Sequence, residues 1–314
     1  RTGGDGPAFL AALDAALQAP GDAAMVARRR AFAAGQTWRH RATDLMEAVE
    51  ALPQPRVSVV VLCYNNASFT RACLDSLEKY SDYPNLELIA VDNASSDETP
   101  ALLSAWAAAA PGRRHIANGS NLGFAGGNNV GLAAATGEYL VILNNDTFVT
   151  PGWVSTLVRH FRSDPSLGVL GPVTNNIGNE ARIEIGYTDM AQMLDASGDY
   201  TARHAGLRLP LQTAAFFCVM LPRRVYEAVG GLDEAFGIGM FEDDDYCRRV
   251  EQAGWTVACA EDVFVHHHLS ASFDQIKQER RQQMFEQNKA IYEAKWGPWV
   301  PHRYREQDAG KLAG

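Results

Sequence analysis

The stretch "FEDDDYCRR" (241–249) sets four carboxylates side by side, Glu242, Asp243, Asp244 and Asp245, with Arg248 and Arg249 close behind. Adjacent negative charges repel, so such a run is either a solvated surface or a set of groups in use. Crowding also raises a carboxylate's pKa and makes it a better proton acceptor near neutral pH. A glycine-rich approach followed by acids reads as the start of a helix, whose positive end favours them. On that helix Asp244–Arg248 and Asp245–Arg249 are i,i+4 pairs, so these two acids have a structural explanation. Glu242 and Asp243 have no arginine at that spacing.

The elements around the run read as an α/β domain. "VSVVVLC" (57–63) is a continuous β-branched run without alternation, which predicts a strand buried on both faces. An amphipathic helix follows in "ASFTRACLDSLEKY", then a strand in "LELIAVD". "SSDETPALLSAWAAA" is a helix with start signals at both Ser95 and Thr99–Pro100, and "GEYLVILNND" holds another strand. Strands alternating with helices imply a mostly parallel, Rossmann-like sheet flanked by helices. Ligands bind beyond the carboxyl ends of such strands. That rule marks Tyr64, Asn65 and Asn66, then Asp92 and Asn93, then Asn144, Asn145 and Asp146.

Several chemistries are excluded. The sequence has no GxxxxGK[ST], no GxGxxG after the first strand and no GxSxG, which removes P-loop, dinucleotide-binding and nucleophile-elbow readings. A net charge of −9 argues against an extended nucleic-acid surface. The longest apolar runs, 57–63 and 214–221, fall far short of the roughly 18–20 residues of a membrane span. Five cysteines without CxxC spacing read as free thiols in a reducing compartment.

An ordered series of motifs resembles family 2 glycosyltransferases with a GT-A fold, of the rhamnosyltransferase-like and O-antigen type. The series is "VSVVVLCYNN", "VDNASSDET", "NLGFAGGNNVG", "YLVILNNDTFVTPGW", "VMLPRRVYEAVGGLDEAFG", "FEDDDYCRRVEQAGW" and "VFVHHH", and the resemblance covers about residues 56–273. It implies an inverting, metal-dependent transfer of a sugar from a UDP-, dTDP- or GDP-sugar to a saccharide or glycan hydroxyl. A divalent cation, Mn²⁺ or Mg²⁺, is the implied cofactor. "NND" (144–146) stands where the family has DXD, with asparagine at the first position. By resemblance Asp146 is the metal ligand and Asn144 or Asn145 touches ribose or sugar hydroxyls. A histidine after the strand "DVFV" completes the metal shell; placement favours His266, with His267 and His268 also candidates. Tyr64 and Asn65 lie by the nucleotide, Asp92 accepts from a base N–H, and Asn93, Asn121 and Asn129 contact ribose or diphosphate. Asp243 is the implied catalytic base and Glu242 orients hydroxyls.

Three regions are expected: a helical N-terminal appendage over 1–53, the GT-A domain over 54–274, and a C-terminal helix and tail over 275–314. "RRRAFAAGQTWRHRATDLMEAVEAL" resembles the closing helices of a GT-B glycosyltransferase, which implies other glycosyltransferase domains in one parent chain; an ordinary helical pair fits equally well. The missing initiator Met reads as a fragment of a longer protein. No charged-then-apolar leader follows Arg1, so the expected location is cytoplasmic. The basic C-terminal helix could dock on the domain, on a parent module or peripherally on the inner membrane face. Two rival readings remain, a nucleotide-sugar-binding module without catalysis and a nucleotidyltransferase. Residues 172–215 are the least family-like and are expected to shape the acceptor site.

Overall fold

The computed structural model describes residues 6–18, 21–50, 54–268 and 278–305. The chain divides into two compact units, Arg1–Gln54 and Pro55–Gly314. The first holds α1 (Gly6–Gln18), α2 (Ala23–Ala34) and α3 (Trp38–Glu50). Asp22 caps α2 by accepting from the Met25 N–H at 2.6 Å. The boundary expected at 274–275 lies outside the described residues.

In the second unit the chain runs β1 (Val57–Cys63), α4 (Ala67–Tyr80), β2 (Leu86–Asp92), α5 (Thr99–Ala108), β3 (Arg113–Ala117), α6 (Gly123–Ala134) and β4 (Tyr139–Asn144). It continues through β5 (Thr147–Val149), α7 (Trp153–Ser163), β6 (Leu167–Val173), α8 (Met190–Arg203), β7 (Arg208–Pro210), β8 (Cys218–Pro222) and α9 (Arg223–Val229). Last come α10 (Glu242–Gln252), β9 (Thr256–His267) and α11 (Gln278–Trp296). The strand order is β3-β2-β1-β4-β8-β6-β9-β5, with β7 also paired to β9. β3, β2, β1, β4, β6 and β9 share one direction; β8, β7 and β5 oppose it. The sheet is therefore mixed, because β8 inserts between β4 and β6 against the grain.

Strand alternation sorts the core. Val57, Val59 and Val61 of β1 face α4, α5 and α7, in one cluster with Leu74, Leu77, Leu103 and Trp153. Val60 faces the other way, with Leu132 of α6, Val225 of α9 and Val250 of α10. A sheet covered on both sides explains why β1 reads as a continuous apolar run. All five cysteines are buried and free. Among the described residues, no helix is long and apolar enough to cross a membrane.

One local expectation changes. Ser95 opens no helix: its N–H donates to Asp92 Oδ1 at 3.0 Å, and α5 begins at Thr99 with Pro100 in its first turn. Most of the glycine-rich segment "NLGFAGGNNVG" is α6 itself. Its glycines let the helix lie directly on the sheet. A methyl added at Gly131 would fall 2.2 Å from Val60 Cγ1 and 3.0 Å from Val91 Cγ2, and one at Gly127 would fall 2.4 Å from Leu62 Cδ1. Val60 and Val91 are wholly buried and cannot retreat. Gly131→Ala should destabilise the fold by about 1–3 kcal/mol, the usual cost of overpacking, read as a lower urea midpoint at unchanged slope.

Candidate active site

Codirectional strands bring their carboxyl ends to one edge of the sheet, and the polar clusters predicted after β1, β2 and β4 all stand there. The edge also receives the end of β9, because β5 pairs antiparallel with it: Thr147 lies opposite His267 and Phe148 opposite His266.

On the β1–β2 side most of the named asparagines hold the protein together. Asn65 sits at φ 54° and accepts from the Ser96 N–H at 2.8 Å, while its own N–H donates to Ser95 Oγ. Asn93 is buried and makes four hydrogen bonds through its amide: it donates to Asn121 Oδ1 and the Gly123 carbonyl, and accepts from Asn118 Nδ2 and the Leu122 N–H. Asn121 Oδ1 accepts a second bond from the Gly123 N–H. Asn129 is engaged with Leu232 N–H and C=O and with Glu234 Oε1, all at 2.8–2.9 Å. Asn145 is buried and donates to Thr70 Oγ1 at 2.8 Å. Asp92, 3% exposed, closes its own turn onto Ser95. Tyr64 is different: its side chain stands free at the edge, 37% exposed. Asn144 caps β4 with its backbone, its N–H donating to the Phe217 carbonyl.

Asp146 is the acid nearest the histidines. It is 8% exposed, and its Oδ1 is buried without a hydrogen-bond partner. The ring facing that oxygen is His267, with Nε2 at 3.4 Å, rather than His266, which strand placement favoured. His267 Nδ1 lies 3.1 Å from the Asn176 carbonyl, which can only accept, so Nδ1 carries the hydrogen. Nε2 is thus the nitrogen turned toward the orphaned carboxylate oxygen, and imidazole plus carboxylate is a donor pair suited to a cation, with the ring anchored by a backbone carbonyl as in metal-bound histidine. His266 is held elsewhere, Nδ1 against the Tyr187 hydroxyl at 2.6 Å and Nε2 against His268 Nδ1 at 3.2 Å. Burial, with His268 and His267 beside it, pushes His266 down to about 4, so it is neutral. Among the described residues no three His, Cys, Asp or Glu side chains form a ready-made metal cage.

At the start of α10 the four acids have four environments. Asp245 is fully buried and paired with Arg249 Nε at 2.8 Å, with Lys295, and with Trp296 Nε1 at 2.9 Å. Asp244 does not pair with Arg248, which turns to Glu251 at 3.3 Å. Its partners are His302 Nε2 at 2.7 Å and Thr213 Oγ1 at 3.1 Å. Asp243 is half-buried and accepts from the Asp244 N–H at 2.9 Å. Glu242 is buried, and its Oε2 has no partner. Burial first, and then Asp243 and Asp244, raise Glu242; burial first, and then Asp244, raise Asp243. Glu242 and Asp243, which have no ion pair among the described residues, are thus both raised above the usual carboxylate range.

The α6 and α10 approaches brace each other. The Phe124 N–H donates to the Ile238 carbonyl at 3.1 Å, and a Cβ on Gly123 (φ +74°) would strike the Gly237 carbonyl. Sequence reasoning missed Asn175, which clasps the His267 backbone through both amide atoms (2.9 and 3.2 Å), and Tyr187 on His266. "TNN" (174–176) directly after the apolar β6 run obeyed the same strand-end rule as the other clusters and was the available signal. His302 carried none.

The sequence model of glycosyl transferase family 2 matches residues 58–230, more than half of the chain. The O-antigen biosynthesis protein RfbC of Myxococcus xanthus is 28% identical over 228 residues, 69% of this chain and 18% of that protein. Mannosyltransferase PcManGT from Pyrobaculum calidifontis, in complex with GDP-Man and Mn²⁺, superposes with a TM-score of 0.57 at 22% identity, over 77% of this chain and 65% of that one. S. aureus TarS in complex with UDP-GlcNAc gives 0.53 at 15% identity, over 71% and 61%. The chain spans less than two thirds of the length of each of these proteins. The structural likenesses establish a GT-A fold, and the sequence match establishes lineage: the chain belongs to glycosyl transferase family 2.

Proposed function

We propose that the chain transfers a sugar from a nucleotide-diphosphate donor to a hydroxyl of a saccharide acceptor, with inversion and with a divalent cation, in the assembly of a bacterial surface polysaccharide. The observation that carries this is a division of labour among carboxylates, one after β4 and two at the start of α10. Asp146 presents an unpartnered oxygen to His267 Nε2, whereas Glu242 and Asp243 are acids of raised pKa with no ion pair among the described residues. The first pair suits a cation and the second suits a proton. The name of RfbC supports the polysaccharide role, and the ligands of PcManGT and TarS support a nucleotide-sugar donor without choosing the base.

Asp146 and His267 would hold the cation, which when bound offsets the negative charge growing on the departing diphosphate. Oxygen plus imidazole donors favour Mn²⁺ over Mg²⁺. On the donor side, exposed Tyr64 supplies an apolar surface for the base beside Asp92. Asp243 takes the proton of the acceptor hydroxyl as that oxygen attacks the anomeric carbon and the bond to the diphosphate breaks on the opposite face. One displacement needs one base and no protein nucleophile. Glu242 Oε2, buried and unpartnered, accepts from a sugar hydroxyl. RfbC and PcManGT extend beyond this chain, so further domains of one parent chain are natural partners.

Asp146→Asn should lower Mn²⁺-dependent hydrolysis of a nucleotide sugar by at least about 100-fold, because several kcal/mol of leaving-group stabilisation go with the ligand. Calorimetry should show weaker Mn²⁺ binding in the presence of nucleoside diphosphate; unchanged Mn²⁺ affinity would remove Asp146 from the shell. Asp243→Asn should cut transfer by about 10²–10⁴-fold while a nucleotide sugar still raises the melting temperature. Wild-type turnover in that variant would sink the assignment.

The same substitution should stabilise the protein. Because burial and Asp244 raise Asp243 in the folded state, the fold binds more protons than the unfolded chain between the ordinary carboxylate range and the raised one. Stability is therefore lost as pH rises across that window. The amide cannot ionise, so Asp243→Asn should melt higher than wild type above the window and coincide with it below. Thermal scans at stepped pH read the difference; parallel curves at every pH would contradict it.

A further inference from the structure

The family match ends at residue 230, yet the chain beyond it builds the surroundings of the acidic run. Asn288, buried on α11, donates from one amide nitrogen to the carbonyls of Phe236 and Gly239 at 2.8 Å and of Met240 at 3.1 Å. That loop leads into α10 through Met240 and Phe241, both at positive φ (81° and 73°). Such a conformation costs non-glycine residues about 1–3 kcal/mol each and persists only where neighbours enforce it. The enforcement is visible: the Phe241 ring packs on Phe285, Tyr292 and Trp299, all from the C-terminal extension.

After α11 the chain folds back over the site. The Trp299 N–H donates to Glu293 Oε1 at 3.0 Å, and Arg305 pairs with Glu261 at 2.8 Å. Between these anchors His302 reaches Asp244 Oδ1 at 2.7 Å, with the Trp299 ring 5.9 Å from its own. The cations are thus shared unequally. Asp245 has Arg249 and Lys295, Asp244 has His302, and Asp243 and Glu242 have no ion pair among the described residues.

We propose that His302 is a positioning residue for sugar transfer: by holding the Asp244 carboxylate in an ion pair, it allows the adjacent Asp243 to ionise as the base. The inference rests on the reading of Asp243 as the base. Two neighbouring carboxylates each make the other harder to ionise, and a cation on one relieves both. At Asp243, burial and then Asp244 oppose ionisation, and His302 favours it. The groups facing His302 are Asp244 and Asp243 from α10 and Glu180 from the loop before α8. Burial disfavours the charged ring, but the bond to Asp244 and these negative charges more than offset it, so it stays protonated to higher pH than an ordinary histidine.

The test uses the full chain with His302→Gln, which keeps a hydrogen-bonding side chain and removes the charge. With nucleotide-sugar turnover as the readout, the acidic limb of the kcat/KM profile should move to higher pH by about one pH unit, the low end for losing a nearby opposite charge. Activity missing at neutral pH should then return as the pH is raised; a merely structural defect would lower the plateau and leave the limb in place. Carbon-13 NMR titration of the aspartate carboxyls, with the Asp243 resonance identified from its loss in Asp243→Asn, reads the same coupling without turnover. A higher Asp243 midpoint in His302→Gln is expected. Coincident midpoints overturn the inference, whatever the activity. Absence of turnover by the wild type with any UDP-, dTDP- or GDP-sugar would count against the transferase reading alone, because the titration still decides the coupling.

Discussion

Four carboxylates on one turn of helix repel one another, and much of the second unit is arranged around dividing them. The positive end of α10 lowers the cost for all four but cannot tell one from another. Discrimination comes from cations and burial. Asp245 is enclosed by Arg249 and Lys295 and serves as the pin between α10 and α11. Asp244 is met by His302. Glu242 and Asp243 are left buried or half-buried with no ion pair among the described residues, a condition that raises a carboxylate. Removing any one cation would blur the distinction, because the four charges are too close to be independent.

What could be read from sequence followed from period and position. β1, β2 and β4 announce themselves as β-branched runs, and the rule that ligands gather at carboxyl ends brought Tyr64, Asp92 and Asp146 to one edge. The split of the acidic run into two halves was also legible, since only Asp244 and Asp245 have arginines at helical spacing. Half of that pairing was misread. Asp245–Arg249 forms, but Asp244 takes a partner 58 residues away, and no local spacing can announce a contact made by a chain folding back on itself. The reversed direction of β8 was hidden for the same reason, because its run looks the same in either orientation.

Asparagine is where sequence reasoning meets two uses of one side chain. A strand-end asparagine can contact a ligand or staple neighbouring loops, and both uses need the same side chain at the same place. At this edge Asn65, Asn93, Asn145 and Asn175 all staple, and Asn129 does the same from within α6. Buried amides left unsatisfied would each cost about 1–3 kcal/mol, so their partners are obligatory once the loops meet. These bonds fix the distance between neighbouring loops, on which any ligand geometry depends. Histidine differs because its two nitrogens can be assigned separate tasks. His267 anchors one on a backbone carbonyl and turns the other toward Asp146, while His266 has both engaged away from that oxygen.

Both stretches of the chain build the site. Residues 58–230 contribute most of the sheet edge, Asp146, and the Asn175, Asn176 and Thr213 contacts to His267 and Asp244, whereas the four acids, His267 and His302 lie beyond. Met240 and Phe241 hold a backbone that local preference opposes, and they do so because Asn288 and a ring of aromatics from the extension enforce it. Strain maintained by distant contacts ties the aim of Glu242 and Asp243 to docking of the C-terminal segment. A mutation that loosens α11 should therefore act first on the orientation of Glu242 and Asp243, and only afterwards on the sheet, whose core it does not enter.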